Sequence, residues 1–506
     1  MKRSSTNAVH CIPYLRSRYG MGKKLSAAAL AAVILASTAC GGGSTRSNAG
    51  GGGGGDTTTT TSATTTTSAE TLASAVDISD IVSEDTEQLE DAHITYLGYY
   101  DIRGAADIDP IVRLYDKIYG GYEYEGTFNE ATYEGYVSIV KTTWNDRIQD
   151  LQKLISSGDS PDLVDREAES FPMLASKNVY EDLTDYIDIT KPHWAGFDKL
   201  IEQYEWNGKH VYYPWHVSAL PLYVYYNGTL FEEYGISPTP MELYESGEWD
   251  WNTFRDCVKQ FIDAKGTSGE VHGAYGLQMV HAFTASTGKA VIGIKDGKLV
   301  NNLKDPDITR AASFMETLRR DGITYAADGY WGDSYKPIVN GDACFLIYGQ
   351  DALTGLMKKN DEINLGFVPF PKDPESDKYY TGLDAFGYLV PKGAKNIKGA
   401  AAFIDTARRS KIEPEFRSVV DESRRVNNKW TTEQIEFMKS FEDLSQHDFI
   451  ADIYAGLDSD TSKLVDDMLI ATCFENKELD SMNSWTALTE AYFNVIDTAV
   501  TAINNG

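Results

Sequence analysis

Hydrophobic residues recur along the chain in two patterns, short continuous runs and helical spacing. Residues 93–100 form a mostly apolar run that predicts a strand. A helix is predicted next by apolar residues that fall on one face: Trp144, Ile148, Leu151, Leu154 and Ile155. Gly158 would end that helix, and residues 161–164 then predict a short strand. The first elements of the folded body therefore alternate between strand and helix.

The alternation continues towards the C-terminus. Strands are predicted at 344–348 and 365–368, with a strand or turn at 133–140. Helices are predicted at 111–118, 307–320 and 397–408. The last hundred residues predict helix throughout, most strongly at 484–503. This succession is typical of an α/β fold with largely parallel sheets.

The N-terminal forty residues have a different composition. Lys23 and Lys24 precede a short apolar run, and small residues then lead to Cys40. These are the parts of a secretory signal, and the run is too short to span a bilayer. The site resembles the bacterial lipobox, in which the cysteine is lipidated, although Ser37 replaces the usual leucine. Plain secretion remains the alternative, and translation can start at Met1 or Met21.

Residues 41–90 read as a linker between the signal and the folded domain at 91–506. Up to about residue 75 the segment is mostly Gly, Ser, Thr and Ala, a composition that buries too little apolar surface to fold. A flexible coil of about 40 residues spans roughly 35 Å. We expect a membrane-tethered domain that moves above the lipid surface.

The charge balance excludes one class of partner. The chain has 75 Asp and Glu against 46 Lys and Arg, a net charge of −29, which repels nucleic acid. Cys257, Cys344 and Cys473 show no metal-ligand spacing and are expected to be buried thiols. No cofactor and no metal are expected.

Motifs for catalysis are missing as well. The sequence lacks H-E-x-x-H, G-x-S-x-G and G-x-x-x-x-G-K, and its eight histidines are dispersed. We expect a binding protein and not an enzyme. A secreted glycoside hydrolase, with two of the many carboxylates as its catalytic pair, and a carbohydrate-adhesion lipoprotein remain the alternatives.

Several segments carry a family resemblance in a fixed order. They are "DRIQDLQKLISSGDSPDLV" from 146, "DLTDYI" to 187, "LYVYYN" at 222–227, "LFEEYGI" at 230–236, "NGDA" at 340–343, "FVPFP" at 367–371 and "GYLVPKG" at 387–393. Together they resemble the extracellular solute-binding proteins of sugar-type ABC importers, with the maltodextrin-binding members most similar in architecture. The resemblance implies a two-lobed periplasmic-binding-protein-like α/β fold with a hinge and an interlobe cleft.

The resemblance also implies a domain division and partners. Lobe 1 is expected at about 91–211 plus 336–386, and lobe 2 at about 212–335 plus 387–506. The segment 212–227 would cross between them. A monomer is expected, which closes on a sugar and is then recognised by the transmembrane subunits of an ABC permease.

We select candidate ligand contacts from the family resemblance and from the expectation that ligands lie beyond the carboxyl ends of strands. Some candidates have a plainer alternative, which is hinge packing for Trp215, core packing for Trp485, a backbone role for Asp384 and Phe386, and an exposed first helical turn for the residues after 164. The full set is Asp165, Arg166, Glu169, Trp215, Trp331, Tyr348, Gln350, Asp351, Asp384, Phe386 and Trp485.

Overall fold

The computed structural model describes most of the predicted domain. The described residues are 88–104, 109–120, 128–217, 223–266, 271–276, 278–325, 335–349, 351–359, 363–383, 385–414, 417, 421, 424–425, 429–442, 448–451, 453–474 and 484–506. Cys40, the signal segment and nearly all of the linker lie outside these ranges. Trp331, Gln350 and Asp384 lie outside them too.

Strands and helices alternate through the described ranges. The strands are β1 (Ile94–Gly98), β2 (Val137–Lys141), β3 (Leu163–Asp165), β4 (Tyr213–Val217), β5 (Tyr223–Asn227), β6 (His272–Tyr275), β7 (Ile292–Lys295), β8 (Lys298–Asn301), β9 (Thr324–Tyr325), β10 (Ala343–Tyr348), β11 (Leu365–Pro369), β12 (Tyr380–Leu383), β13 (Ala385–Leu389) and β14 (Asp448–Ala451).

The α-helices are α1 (Asp109–Gly120), α2 (Arg147–Ser157), α3 (Met173–Ser176), α4 (Asp198–Glu202), α5 (Gly228–Tyr234), α6 (Pro240–Glu245), α7 (Trp251–Lys265), α8 (Met279–Ala285), α9 (Pro306–Arg320), α10 (Lys336–Val339), α11 (Asp351–Lys359), α12 (Ile397–Ile412), α13 (Thr432–Glu442), α14 (Ser459–Cys473) and α15 (Trp485–Asn505). Short 3-10 helices lie at Ile102–Gly104, Glu130–Thr132, Ala168–Ser170, Pro192–Trp194 and Tyr454–Gly456.

The first sheet has the strand order β2-β1-β3-β13-β4. β1 is parallel to β2 and β3, whereas β13 runs antiparallel to β3 and β4. Helices α1 and α12 pack together on this sheet, with the ring of Tyr115 5.2 Å from that of Phe403. The rings of Tyr388 and Phe403 are 5.5 Å apart, which joins β13 to α12. Because β1, β2 and β3 run parallel, their carboxyl ends lie at the same edge of the sheet.

The second sheet has the order β11-β5-β10-β6-β9. β5 is antiparallel to β10 and β11, while β6 is parallel to β10 and β9. Helix α7 covers one face, where the rings of Phe254 and Phe345 lie 5.1 Å apart. The chain enters this sheet after β4 and returns to the first sheet at β13.

The strand order corrects the predicted division into lobes. Segment 336–386 was assigned to the first lobe, but its strands β10 and β11 pair with β5 in the second sheet. Strand β4, most of β13 and helix α12 were assigned to the second lobe, but β4 and β13 belong to the first sheet and α12 packs on it. Buried strands have the same hydrophobic character in both sheets, so the sequence pattern does not reveal which sheet a strand joins.

The C-terminal half adds a helical layer to the second sheet. Helices α8, α9, α14 and α15 pack on one another and on the hairpin β7–β8. Trp251 of α7 stacks on Phe314 of α9 at 5.2 Å, which attaches the layer to the sheet. Strand β14 pairs with β12 and interrupts the last hundred residues, where helix throughout was predicted. No helix within the described ranges is long and apolar enough to cross a membrane.

Local signals explain where the helices begin and end. Gly158 takes the left-handed conformation with φ of 79° and ends α2, which confirms the predicted stop. Asp250 and Asp458 accept hydrogen bonds from the first backbone N–H groups of α7 and α14. The predicted helices at 307–320, 397–408 and 484–503 are confirmed by α9, α12 and α15.

Candidate functional site

The candidate site lies where the parallel strands of the first sheet end. β1, β2 and β3 end at Gly98, Lys141 and Asp165, and the loops that follow carry aromatic and charged side chains. In open α/β sheets, this edge is where ligands bind. A pocket at this edge is lined by residues of the β1 and β3 ends and of helix α2.

Asp165 is held by tyrosine hydroxyls. The Tyr96 hydroxyl donates to its Oδ2 at 2.5 Å. Burial raises the pKa of Asp165 to about 6, although the hydrogen bonds from Tyr96 and Tyr100 act in the opposite direction. Desolvation is therefore the larger effect at this carboxyl.

Arg147, the first residue of α2, connects the loops. Its guanidinium lies 3.7 Å from the centre of the Trp144 ring, and its Nη2 donates to Glu169 Oε2 at 3.0 Å. Its Nε is 3.7 Å from Glu167 Oε1, which is too long for a hydrogen bond. Burial raises the pKa of Glu167 to about 8, and the charge of Arg147 offsets this only in part.

Arg166 points away from this pocket. Its backbone N–H donates to the Gly387 carbonyl at 2.9 Å, and its guanidinium lies over the rings of Tyr204 and Tyr212. The side chain is buried. Arg166 points away from Asp165 because consecutive side chains alternate in direction at a strand end, and its predicted ligand contact stays a prediction.

Four rings stack across strands β4 and β13. Trp215 lies between Tyr388, at 5.8 Å and 18°, and His216, at 5.7 Å and 21°. His216 in turn stacks on Phe386 at 6.3 Å and 11°. Tyr388 is buried and Trp215 is 6% exposed, whereas Phe386 is 38% exposed. The stack therefore ends in an open aromatic face.

Two features of the stack bear on its chemistry. The indole Nε1 of Trp215 is buried and has no hydrogen-bond partner among the described residues. The pKa of His216 lies well below its usual value, chiefly because of burial and further because of Lys411 and Arg408. His216 is therefore a neutral ring at physiological pH, and Trp215 retains one unused donor.

The other predicted contacts are dispersed. Tyr348 ends β10 in the second sheet, 6.2 Å from the ring of Tyr335, and Asp351 begins α11. Trp485 is buried at the start of α15, where its Nε1 donates to the Leu303 carbonyl at 3.1 Å. Trp485 is thus a core residue of the helical layer, which corrects its placement in the cleft.

Sequence reasoning missed three side chains at the edge. Glu167 and Tyr180 line the pocket beside Asp165, and Tyr99 contacts the Trp144 ring edge-to-face at 5.2 Å. Glu167 could have been predicted from its two-residue spacing from Asp165, because in an extended chain that spacing places both side chains on the same face. Tyr180 has no local signal, since it reaches the pocket from a separate loop. In the described ranges, no group of three or more His, Cys, Asp or Glu is arranged to hold a metal ion.

The sequence matches the profile of the bacterial extracellular solute-binding proteins over residues 126–411, more than half of the chain. The chain belongs to this family. None of the curated proteins matches this solute-binding protein.

Solved structures share its fold at low identity. MalE, the sugar-binding protein of Xanthomonas citri, is 12% identical with a TM-score of 0.59, covering 81% of this chain and 98% of its own. The cyclic alpha-maltosyl-1,6-maltose binding protein of Arthrobacter globiformis is 17% identical with a TM-score of 0.55, covering 83% and 100%. UgpB of Mycobacterium tuberculosis, solved with glycerophosphocholine, is 14% identical with a TM-score of 0.53, covering 82% and 98%. The predicted two-lobed α/β fold of this solute-binding protein is confirmed.

Proposed function

We propose that the protein is the membrane-tethered substrate-binding component of an ABC importer and captures a sugar or oligosaccharide between its lobes. The ring stack that ends in the half-exposed Phe386 is the observation that carries this proposal. A pyranose has apolar faces that pack on aromatic rings and a rim of hydroxyls that needs donors and acceptors. The unused Trp215 Nε1 and the carboxylates after β3 are groups of that kind.

The position of the stack favours coupling between capture and closure. Strand β4 leads through 218–222 into β5 of the second sheet, and β13 returns from it. A ligand on Phe386 would lie beside both connections, where small backbone rotations move one lobe against the other. Tyr348 and Asp351 at the edge of the second sheet are our candidates for the opposing contacts. The closed form would then be delivered to the permease.

The membrane tether belongs to the same proposal. Cys40 would carry the lipid, and residues 41–90 would hold the domain away from the headgroups. Stable anchoring needs more than one acyl chain. With Cys40 replaced by Ser, we expect the protein in the medium instead of the membrane fraction, with unchanged solute affinity. Retention of Cys40→Ser in the membrane would contradict the tether.

A thermal-shift screen with product analysis tests the binding role. For a protein that only binds, the melting temperature rises with the logarithm of ligand concentration, and the carbohydrate is recovered intact. We expect one class of carbohydrate to give this behaviour. Products released from an incubated oligosaccharide would indicate a hydrolase, and no shift with any carbohydrate would exclude sugar capture.

A further inference from the structure

The pocket at the first-sheet edge has a composition that the aromatic stack does not explain. Its polar lining comes from four segments, namely the end of β1, the end of β3 with the turn that follows it, the start of α2, and the loop that carries Tyr180. The polar side chains that line it are Tyr99, Arg147, Asp165, Glu167, Ser170 and Tyr180. Its volume is about 30 Å³, which accommodates one functional group of a solute and not a whole ring.

Two carboxyl groups, those of Asp165 and Glu167, line this pocket, and one cationic side chain lines it with them. Arg147 is the cation that lines it; its Nη2 donates to Glu169 and its guanidinium lies over the Trp144 ring, while its buried Nε makes no hydrogen bond to a described residue. Its contact with Glu167 is a 3.7 Å approach and not a hydrogen bond. Arg166 faces Tyr204 and Tyr212 on the other side of the strand end. Within the described part of the chain, Asp165 accepts hydrogen bonds from the neutral hydroxyls of Tyr96 and Tyr100 and from no charged side chain.

A buried hydroxyl adds an independent sign that a ligand group belongs here. Tyr180 is 1% exposed, and its hydroxyl lies near Ser170, but no described residue completes a hydrogen bond with it. A buried polar group without a partner costs about 1–3 kcal/mol. A solute atom in the pocket would remove that cost for Tyr180 while also facing Glu167.

We propose that this pocket receives the protonated amino group of the solute, so that the captured carbohydrate is an amino sugar. The inference rests on the proposed function and narrows its substrate class. An ammonium group donates three hydrogen bonds and has no acceptor, which matches a lining of two carboxyl groups and a tyrosine hydroxyl. A phosphate or carboxylate on the solute would be repelled by Asp165, which is ionised at pH 7 because its pKa is about 6.

The proton balance of binding follows from the burial of Glu167. In the empty pocket the raised pKa of about 8 keeps this carboxyl protonated at neutral pH. An ammonium group beside it favours the carboxylate, so the proton leaves Glu167 for the solvent while the solute keeps its own. Binding of an amino sugar at pH 7 is therefore accompanied by proton release, and binding of a neutral sugar is not.

Matched sugar pairs test the inference. Purified protein is titrated calorimetrically with glucose and glucosamine, galactose and galactosamine, and cellobiose and its diamino analogue, in two buffers of different ionisation enthalpy. Hydrogen bonds to a charged group are stronger than those between neutral groups. We therefore expect an amino sugar to bind about tenfold tighter than its neutral partner. Glu167→Gln should reduce that ratio to below about threefold and abolish proton release. Glu202→Gln, an exposed control on α4, should change neither.

The outcomes separate this inference from the proposed function. Neutral sugars that bind as tightly as their amino partners, or a ratio that survives Glu167→Gln, would overturn the amino-sugar inference and leave sugar capture intact. Binding of neither member of any pair would overturn both. Glu167→Gln keeps the shape of the protonated carboxyl, so the variant is expected to fold.

Discussion

At the scale of single residues, Trp215 combines packing with an unused donor. Its ring is held between Tyr388 and His216, and its Nε1 is buried without a partner among the described residues. An N–H group in that state is satisfied when a ligand oxygen arrives. The same indole therefore contributes to the core and, in our proposal, to solute recognition.

Two substitutions separate these contributions. Trp215→Ala should weaken solute binding by about tenfold or more and lower the melting temperature, since it removes a stacked, buried ring. Trp215→Phe keeps a ring and should cost less stability, yet it still weakens binding because the N–H is lost. Calorimetric titration below the melting temperature measures the solute affinity of both variants. Trp485→Phe, which loses the bond to Leu303, is the control and should lower stability alone. Unchanged affinity in Trp215→Ala would remove this residue from the site.

Glu167 predicts a pH dependence of stability. Its folded-state pKa of about 8 exceeds the usual value of about 4.3 for an unfolded chain. Between these values the folded state binds more protons than the unfolded state, so this contribution to stability falls as pH rises from about 4 to 8. Glu167→Gln removes the effect. We expect it to raise the melting temperature at pH 8 and to leave it unchanged at pH 4.5. A variant less stable than wild type at pH 8 would show that the pairing with Arg147 outweighs burial.

The residues of the site were only partly predictable. Asp165 and Glu169 follow a strand, and the structure places both at the sheet edge. Arg166 does not line the pocket and Glu167, which does, was missed, because the direction of each side chain here depends also on the 3-10 helix Ala168–Ser170 that follows. The sequence pattern predicts the position of the loop but not the backbone conformation that sets the direction of its side chains.

At the scale of elements, the 3-10 helix Tyr454–Gly456 joins the two halves of the molecule. It is fixed to the helical layer by Tyr454, which donates to Asp466 and stacks on His281 at 5.3 Å. On its other side Gly456 approaches the backbone of Phe171, directly after the turn that carries the pocket residues. A Cβ on Gly456 would lie 1.9 Å from the Phe171 carbonyl oxygen. This close contact explains why glycine is needed there.

Gly456→Ala should therefore disturb both stability and binding. The added methyl forces two backbone segments apart, at a cost of about 1–3 kcal/mol, and shifts the turn behind the pocket. We expect a lower midpoint in urea unfolding and weaker solute affinity. Gly293→Ala is the matched control, since its Cβ would lie 3.3 Å from Asn302 Nδ2 and 3.9 Å from Ala290 Cβ, distances far longer than the 1.9 Å at Gly456. Equal behaviour of the two variants would show that the 454–456 contact has no special role.

Helices were predictable where their signals are local. The cap at Ser484 and the apolar face that follows give α15, and Gly158 gives the end of α2. The lobe boundaries were wrong because strand pairing is non-local: β10 joins β5 across more than a hundred residues. The sequence of a buried strand does not indicate which other strand it pairs with. The segment β14 was missed because it is four residues long and pairs with an equally short strand.

At the scale of the whole molecule, two sheets with a helical layer are connected through β4–β5 and through the return to β13. Trp215 on β4 and Phe386 on β13 lie next to these connections, so in our proposal solute capture and lobe movement would involve the same strands. A net charge of −29 suits a protein that works outside the cell and does not bind nucleic acid. Our account places the solute between the lobes and not on an outer surface.

Hydrogen exchange with and without a saturating carbohydrate tests that placement most directly. The account predicts ligand-dependent protection of residues 98–101, 165–170, 215–217 and 385–387 in the first lobe, together with residues 346–351 at the edge of the second sheet. Protection of both edges at once is the result expected of a solute enclosed between lobes. Protection confined to one sheet edge, or to a surface away from both, would contradict capture in an interlobe cleft.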